Sequence, residues 1–101
     1  MKKSKGNLRA SKFRSPIRVG NAVFIRTVTH HHTGEIVLLT AAEIVLRNAA
    51  WIADDGTFSE ALKTGVFNEI EPFPDNVFVS VSRAALIDVS DWKHALPRVK
   101  K

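Results

Sequence analysis

The chain has 101 residues, 45% of them hydrophobic, a formal net charge of +5 and no cysteine. That length supports one domain with a modest core and excludes two. The missing cysteines exclude a disulfide framework and a thiolate zinc site, and no apolar run approaches the roughly 18 to 20 residues of a membrane span.

The charge is unevenly spread. Residues 1 to 18 carry seven cations and no acid, and residues 98 to 101 add three more cations. Residues 19 to 97 hold all ten acids against five cations. The expected organisation is a basic flexible arm (1–18), an acidic folded domain (19–97) and a basic tail (98–101). Such arms favour polyanions through counterion release, which makes Lys2, Lys3, Lys5, Arg9, Lys12 and Arg14 candidate nucleic-acid contacts. Equally, they serve only solubility or dock on an acidic partner. No apolar segment follows the basic start as a signal peptide requires, so a soluble, cytoplasmic protein is expected.

Residues 1 to 16 are polar and basic, and Pro16 closes the segment. From Asn21, "NAVFIRTV" places β-branched and aromatic residues at Val23, Phe24, Ile25 and Val28, a strand pattern. After "THHHTG", two apolar runs, Ile36 to Leu39 and Ile44 to Leu46, flank the short "TAAE" and predict a bent antiparallel pair. "DDG" marks a turn. "TFSE" has capping-box spacing, and Gly65 stands where a helix would stop, so a helix is predicted over residues 58 to 64. "EIEPFPD" forces extended or turn geometry. "NVFVSVSRAALIDV" alternates Val77, Val79 and Val81 with polar or aromatic neighbours, then breaks tightly before a last strand. The expected fold is mainly β: five short, strongly bent antiparallel strands closed into an SH3-like barrel. A helical insertion of about residues 49 to 76 separates strands 3 and 4.

Two stretches resemble the Sm family, which includes LSm proteins and the bacterial Hfq rings. "VFIRTVTHHHTGEIVLLTAAEIVLRNA" is similar to the first Sm motif, with Gly34 at the glycine where the second strand bends. "VFVSVSRAALIDV" is similar to the second motif, although Ala84 and Ala85 replace its glycine and the link from Ala49 to Asn76 is long. The whole chain, above all "AAWIADDGTFSEALKTG" and "EIEPFP", also resembles a family of small uncharacterised phage and bacterial proteins. The resemblance implies an Sm-like barrel, a homo-oligomeric ring and RNA or nucleotide binding. If the chain is phage-encoded, its compartment is the host cytoplasm.

The histidines supply the candidate site. Strand alternation puts His30 and His32 on one face and His31 on the other. Two same-face histidines fall short of a zinc set, so no metal and no cofactor is expected. Asp54 or Asp55 offers a carboxylate to orient an imidazole, but nothing marks an electrophile site, and no catalytic activity is expected. In the resembled rings this strand faces a surface where bases stack, so His30, His31 and His32 with Ile25 are nucleotide-pocket candidates. The alternative is a solvent-exposed polar strand end. By the same resemblance Arg83 lies at the pore loop, or else pairs with Asp88, and Asn48 ends the third strand as a base contact or a turn cap. Trp51 and Trp92 are expected to pack, and Phe58, Phe67 and Phe73 to anchor the insertion. The functional expectation is a non-catalytic RNA- or nucleotide-binding ring. The competing readings are a sponge for a nucleotide defence signal and a structural, protein-binding module.

Overall fold

The computed structural model describes residues 13–101. Lys2, Lys3, Lys5, Arg9 and Lys12 lie outside that range. Six antiparallel strands run in the order β1 (Ala22–Thr27), β2 (His31–Leu39), β3 (Glu43–Asp54), β4 (Glu69–Pro72), β5 (Val79–Ser82) and β6 (Leu86–Asp91). One helix, α1 (Phe58–Thr64), follows β3, and a 3₁₀ turn at Arg83–Ala85 joins β5 to β6.

The fold is mainly β, but it differs from five strands in a closed barrel. The sheet is open, in the order β4-β3-β2-β1-β6, with β5 paired to β3 beside β4. The sixth strand comes from the expected insertion. β3 runs on to Asp54, and β4 returns from the helix to pair with it at Ala50↔Pro72 and Ile52↔Ile70. The prolines of "EIEPFPD" hid this strand in the sequence. Pro72 ends β4, where a missing N–H costs the ladder nothing.

The alternating pattern of β1 explains why the sheet is covered on both faces. Val23 and Ile25 point into one core with Ile36, Ile44, Leu46 and Val81. Phe24, between them, points into a second core with Ile52, Phe67, Ile70 and Trp92. All three β1 residues are fully buried. The second core is aromatic: Phe24 lies 5.2 Å from Phe67 and 5.8 Å from Trp92, and Phe67 stacks on Trp92 at 5.0 Å and 11°. Phe58 packs on Phe24 at 5.5 Å, so Phe58 and Phe67 fasten the helical excursion to the sheet. Phe73 packs against the first core.

The helix has the predicted bounds. Its C-terminus is set by Gly65, whose φ of 76° suits glycine, and a Cβ there would meet the His94 ring at 2.6 Å. The His94 Nε2–H donates to the Leu62 carbonyl at 2.8 Å, satisfying a helix-end acceptor. The capping box does not form, since Thr57 makes no side-chain hydrogen bond to the first turn.

Residues 98 to 101 are not a loose tail. Lys101 exchanges two backbone hydrogen bonds with Ile70, each 3.0 Å, and Arg98 donates to the Ala49 and Phe73 carbonyls at 2.9 and 2.8 Å. These contacts occupy the outer edge of β4.

β3 carries a bulge. A step of two along β2, Thr33 to Glu35, spans a step of three along β3, Ala50 to Arg47, and Asn48 within that step has φ 51°. Gly34 faces the bulge, and a Cβ on it would sit 3.0 Å from Leu46 Cβ and 3.4 Å from Ala49 Cα. Gly34→Ala should therefore overpack this crossing and cost about 1 to 3 kcal/mol, read as a lowered urea midpoint. A midpoint equal to wild type would show that the crossing has slack.

Candidate nucleotide-binding site

The β1–β2 turn is locked by its own side chain. Thr27 N–H and Thr27 Oγ1–H both donate to the His30 carbonyl, at 2.9 and 2.7 Å, and Oγ1 accepts the His30 N–H at 3.0 Å. That geometry fixes where the histidines emerge.

His30 and His32 stack on one side at 6.3 Å and 20°. Trp51, directly across from His32 in the β2–β3 ladder, extends the group: His30 lies 5.7 Å from its ring, and His32 lies 6.1 Å from Phe73. Trp51 is 37% exposed, whereas Trp92 is 4% exposed. Only Trp92 is thus a core residue, and Trp51 is an open aromatic surface that sequence reasoning assigned to packing.

His31 points the other way. Its ring meets Phe24 edge-on at 6.0 Å, and Nδ1 lies 2.7 Å from Asp55 Oδ2. A carboxylate cannot donate, so Nδ1 carries the hydrogen. The side chains of His31 and Asp55 are 29% and 13% exposed, a sheltered pair tying β2 to the β3–α1 loop. Beside it Arg26 grips Asp88 through Nε at 3.0 Å and through Nη2, with its guanidinium 3.7 Å above the Phe58 ring. The Arg26 hydrogen bond holds the Asp88 carboxyl below its ordinary range, and the same bond raises the guanidinium.

Thr29, His30 and His31, with the run from Trp51 to Gly56, line an open cleft of about 320 Å³. Among the described residues its wall holds two carboxylates and neither Lys nor Arg. Among the described residues no group of three or more His, Asp and Glu gathers as a metal site.

The remaining candidates fall elsewhere. Ile25 is fully buried in the first core and cannot line a pocket. Asn48 does not end the third strand but sits at its bulge, because β3 continues to Asp54. Arg83 does not pair with Asp88, which Arg26 has taken. The Arg83 Nε is buried with no partner among the described residues. Its backbone N–H donates to Ala42, at the opposite end of β3 from the histidines, so Arg83 and the histidines do not form one site. Arg14 is exposed. The cleft's acidic floor was legible as the turn signal "DDG" and as a carboxylate, Asp54 or Asp55, able to orient an imidazole; Asp55 takes that place on His31.

No family model, no curated protein and no solved structure matches the chain.

His32 is mostly buried, its Nδ1 has no partner among the described residues, and burial followed by the neighbouring His30 and His31 pushes its pKa below 6.5. The unfolded chain therefore binds a proton before the folded one does. Stability from this group is complete above pH 6.5 and is lost as pH falls towards the depressed folded value. Wild type should melt lower at pH 5.5 than at pH 7.5, and His32→Phe should shrink that difference. An unchanged difference would mean that His32 is not the group responsible.

Proposed function

We propose that the chain is a non-catalytic, Sm-like module that binds single-stranded RNA or a nucleotide by stacking a base against Trp51 and His30. The observation that carries this reading is the exposed tryptophan held beside two stacked imidazoles at the mouth of a cleft. A rigid indole costs little conformational entropy on binding, and every base has a face to stack on it.

The barrel part of the reading has support in strand order. Without β4, the sheet runs β5-β3-β2-β1-β6, so the strands joined by the 3₁₀ turn lie at its two ends. A ring of copies is supported by the same edges. Among the described residues the outer sides of β5 and β6 carry no strand, and Phe78 and Ile87 near them are 62% and 60% exposed. The basic residues 1 to 18 would add affinity for phosphate that weakens with salt.

Trp51→Ala should weaken binding of a labelled single-stranded RNA about 10-fold, measured by fluorescence anisotropy, since stacking contributes roughly 1–3 kcal/mol per base. Deleting residues 1 to 16 should weaken RNA binding and flatten its salt dependence. If small-nucleotide capture survives that deletion while RNA binding was never appreciable, the sponge reading replaces this one. No binding of either ligand would leave a protein-interaction role.

A further inference from the structure

We infer that the cleft beside Trp51 reads the amino-bearing edge of a nucleobase, and that it prefers cytosine over uracil. The inference rests on the stacking reading above and names the ligand class of that same site.

The free donors and acceptors of the cleft decide what it can bind. Asp55 Oδ2 accepts from His31, and Asp54 Oδ1 accepts from the Gly56 N–H at 2.9 Å and from Asn68 at 3.4 Å. Among the described residues nothing donates to the second oxygen of either carboxylate. The His31 Nδ1–H is spent on Asp55. Thr29 and His30 hydrogen-bond each other at 2.8 Å. The wall therefore presents two unused carboxylate oxygens beside the indole N–H of Trp51, and neither Lys nor Arg is among its lining residues.

Three ligand features follow. Phosphate is repelled by Asp54 and Asp55 and stays outside the cleft. A base entering between Trp51 and the two carboxylates must donate to them, as the N4 amino group of cytosine, the N6 amino group of adenine and the N1–H with N2 amino group of guanine all do. Uracil turns two carbonyl oxygens towards the same carboxylates, with a single N–H between them, and is disfavoured.

The two pyrimidines give the cleanest test, because their homopolymers differ little except at that edge. Anisotropy titrations of the full chain with oligo(C) and oligo(U) of equal length should show C bound about 10-fold tighter, the size of one discriminating contact. Contacts from residues 1 to 18 to phosphate are common to both and cancel in the ratio.

Asp54→Asn and Asp55→Asn are the decisive variants. Each keeps one carbonyl oxygen for its existing partner and replaces the other oxygen with an NH₂ donor. Both should still bind RNA, with the C-to-U ratio lowered towards or below one. Equal binding of C and U by wild type, or a ratio unmoved in both variants, overturns the inference while leaving stacking intact. Failure of wild type to bind either homopolymer overturns the stacking reading, and the base preference falls with it.

Discussion

The bulge at Asn48 decides which way half of β3 faces. In an unbroken strand Ile44, Leu46, Ala50 and Ile52 would share one side, because side chains repeat every second residue. Instead Leu46 and Ala49, three apart, both enter the first core, while Ala50 and Ile52 enter the second. The extra residue advances the phase by one, and Gly34 opposite gives the backbone room to approach. Ile52 is thereby turned towards α1. Trp51 is turned onto the side of His32, where little covers it. Without that shift the indole would lie against the helix and the cleft would have no aromatic wall.

The phase change also explains which parts of the fold could be read from sequence. Alternation in β1 and the "VFVSVS" run was local, so those strands and the 3₁₀ break at Arg83–Ala85 were legible. So was the helix, since Gly65 marks its end chemically. The extent of β3 was not legible. "IVLRNAAWIA" alternates in neither register from end to end, and only the pairing with β2 shows where the extra residue goes. β4 was hidden for a different reason: a four-residue strand bounded by prolines looks like a loop until a partner edge is present.

The site divides along the same line. That His30 and His32 would oppose His31 followed from strand geometry and needed no tertiary information. What each imidazole then meets is tertiary. His31 finds Asp55, 24 residues away, because the turn after β3 folds back over the start of β2. His32 finds Trp51 and Phe73 and loses solvent. Three identical side chains in a row thus acquire three environments: exposed at the turn, paired with a carboxylate, and mostly buried with Nδ1 unpartnered among the described residues. Arg83 shows the converse. Its expected partner, Asp88, lies only five residues away, yet Arg26 reaches it across the β1–β6 ladder through both Nε and Nη2.

The net charge of +5 overstates how basic the folded surface is. Arg18, Arg26, Arg47, Lys63, Arg98 and Lys100 each face a carboxylate of the domain. Arg98 is further committed to two main-chain carbonyls, which makes it a fastener of the C-terminal segment rather than a polyanion contact. Among the described residues only Arg14, Arg83, Lys93 and Lys101 lack an acidic partner, and none of them lines the cleft. The cations available to phosphate are concentrated before Arg18, while the aromatic and carboxylate groups sit on the folded domain. Sequence-independent attraction and base selection would then reside in different parts of the chain. A carboxylate-walled cleft selects among bases only if affinity for the backbone comes from elsewhere, because its own charge opposes the polymer it reads.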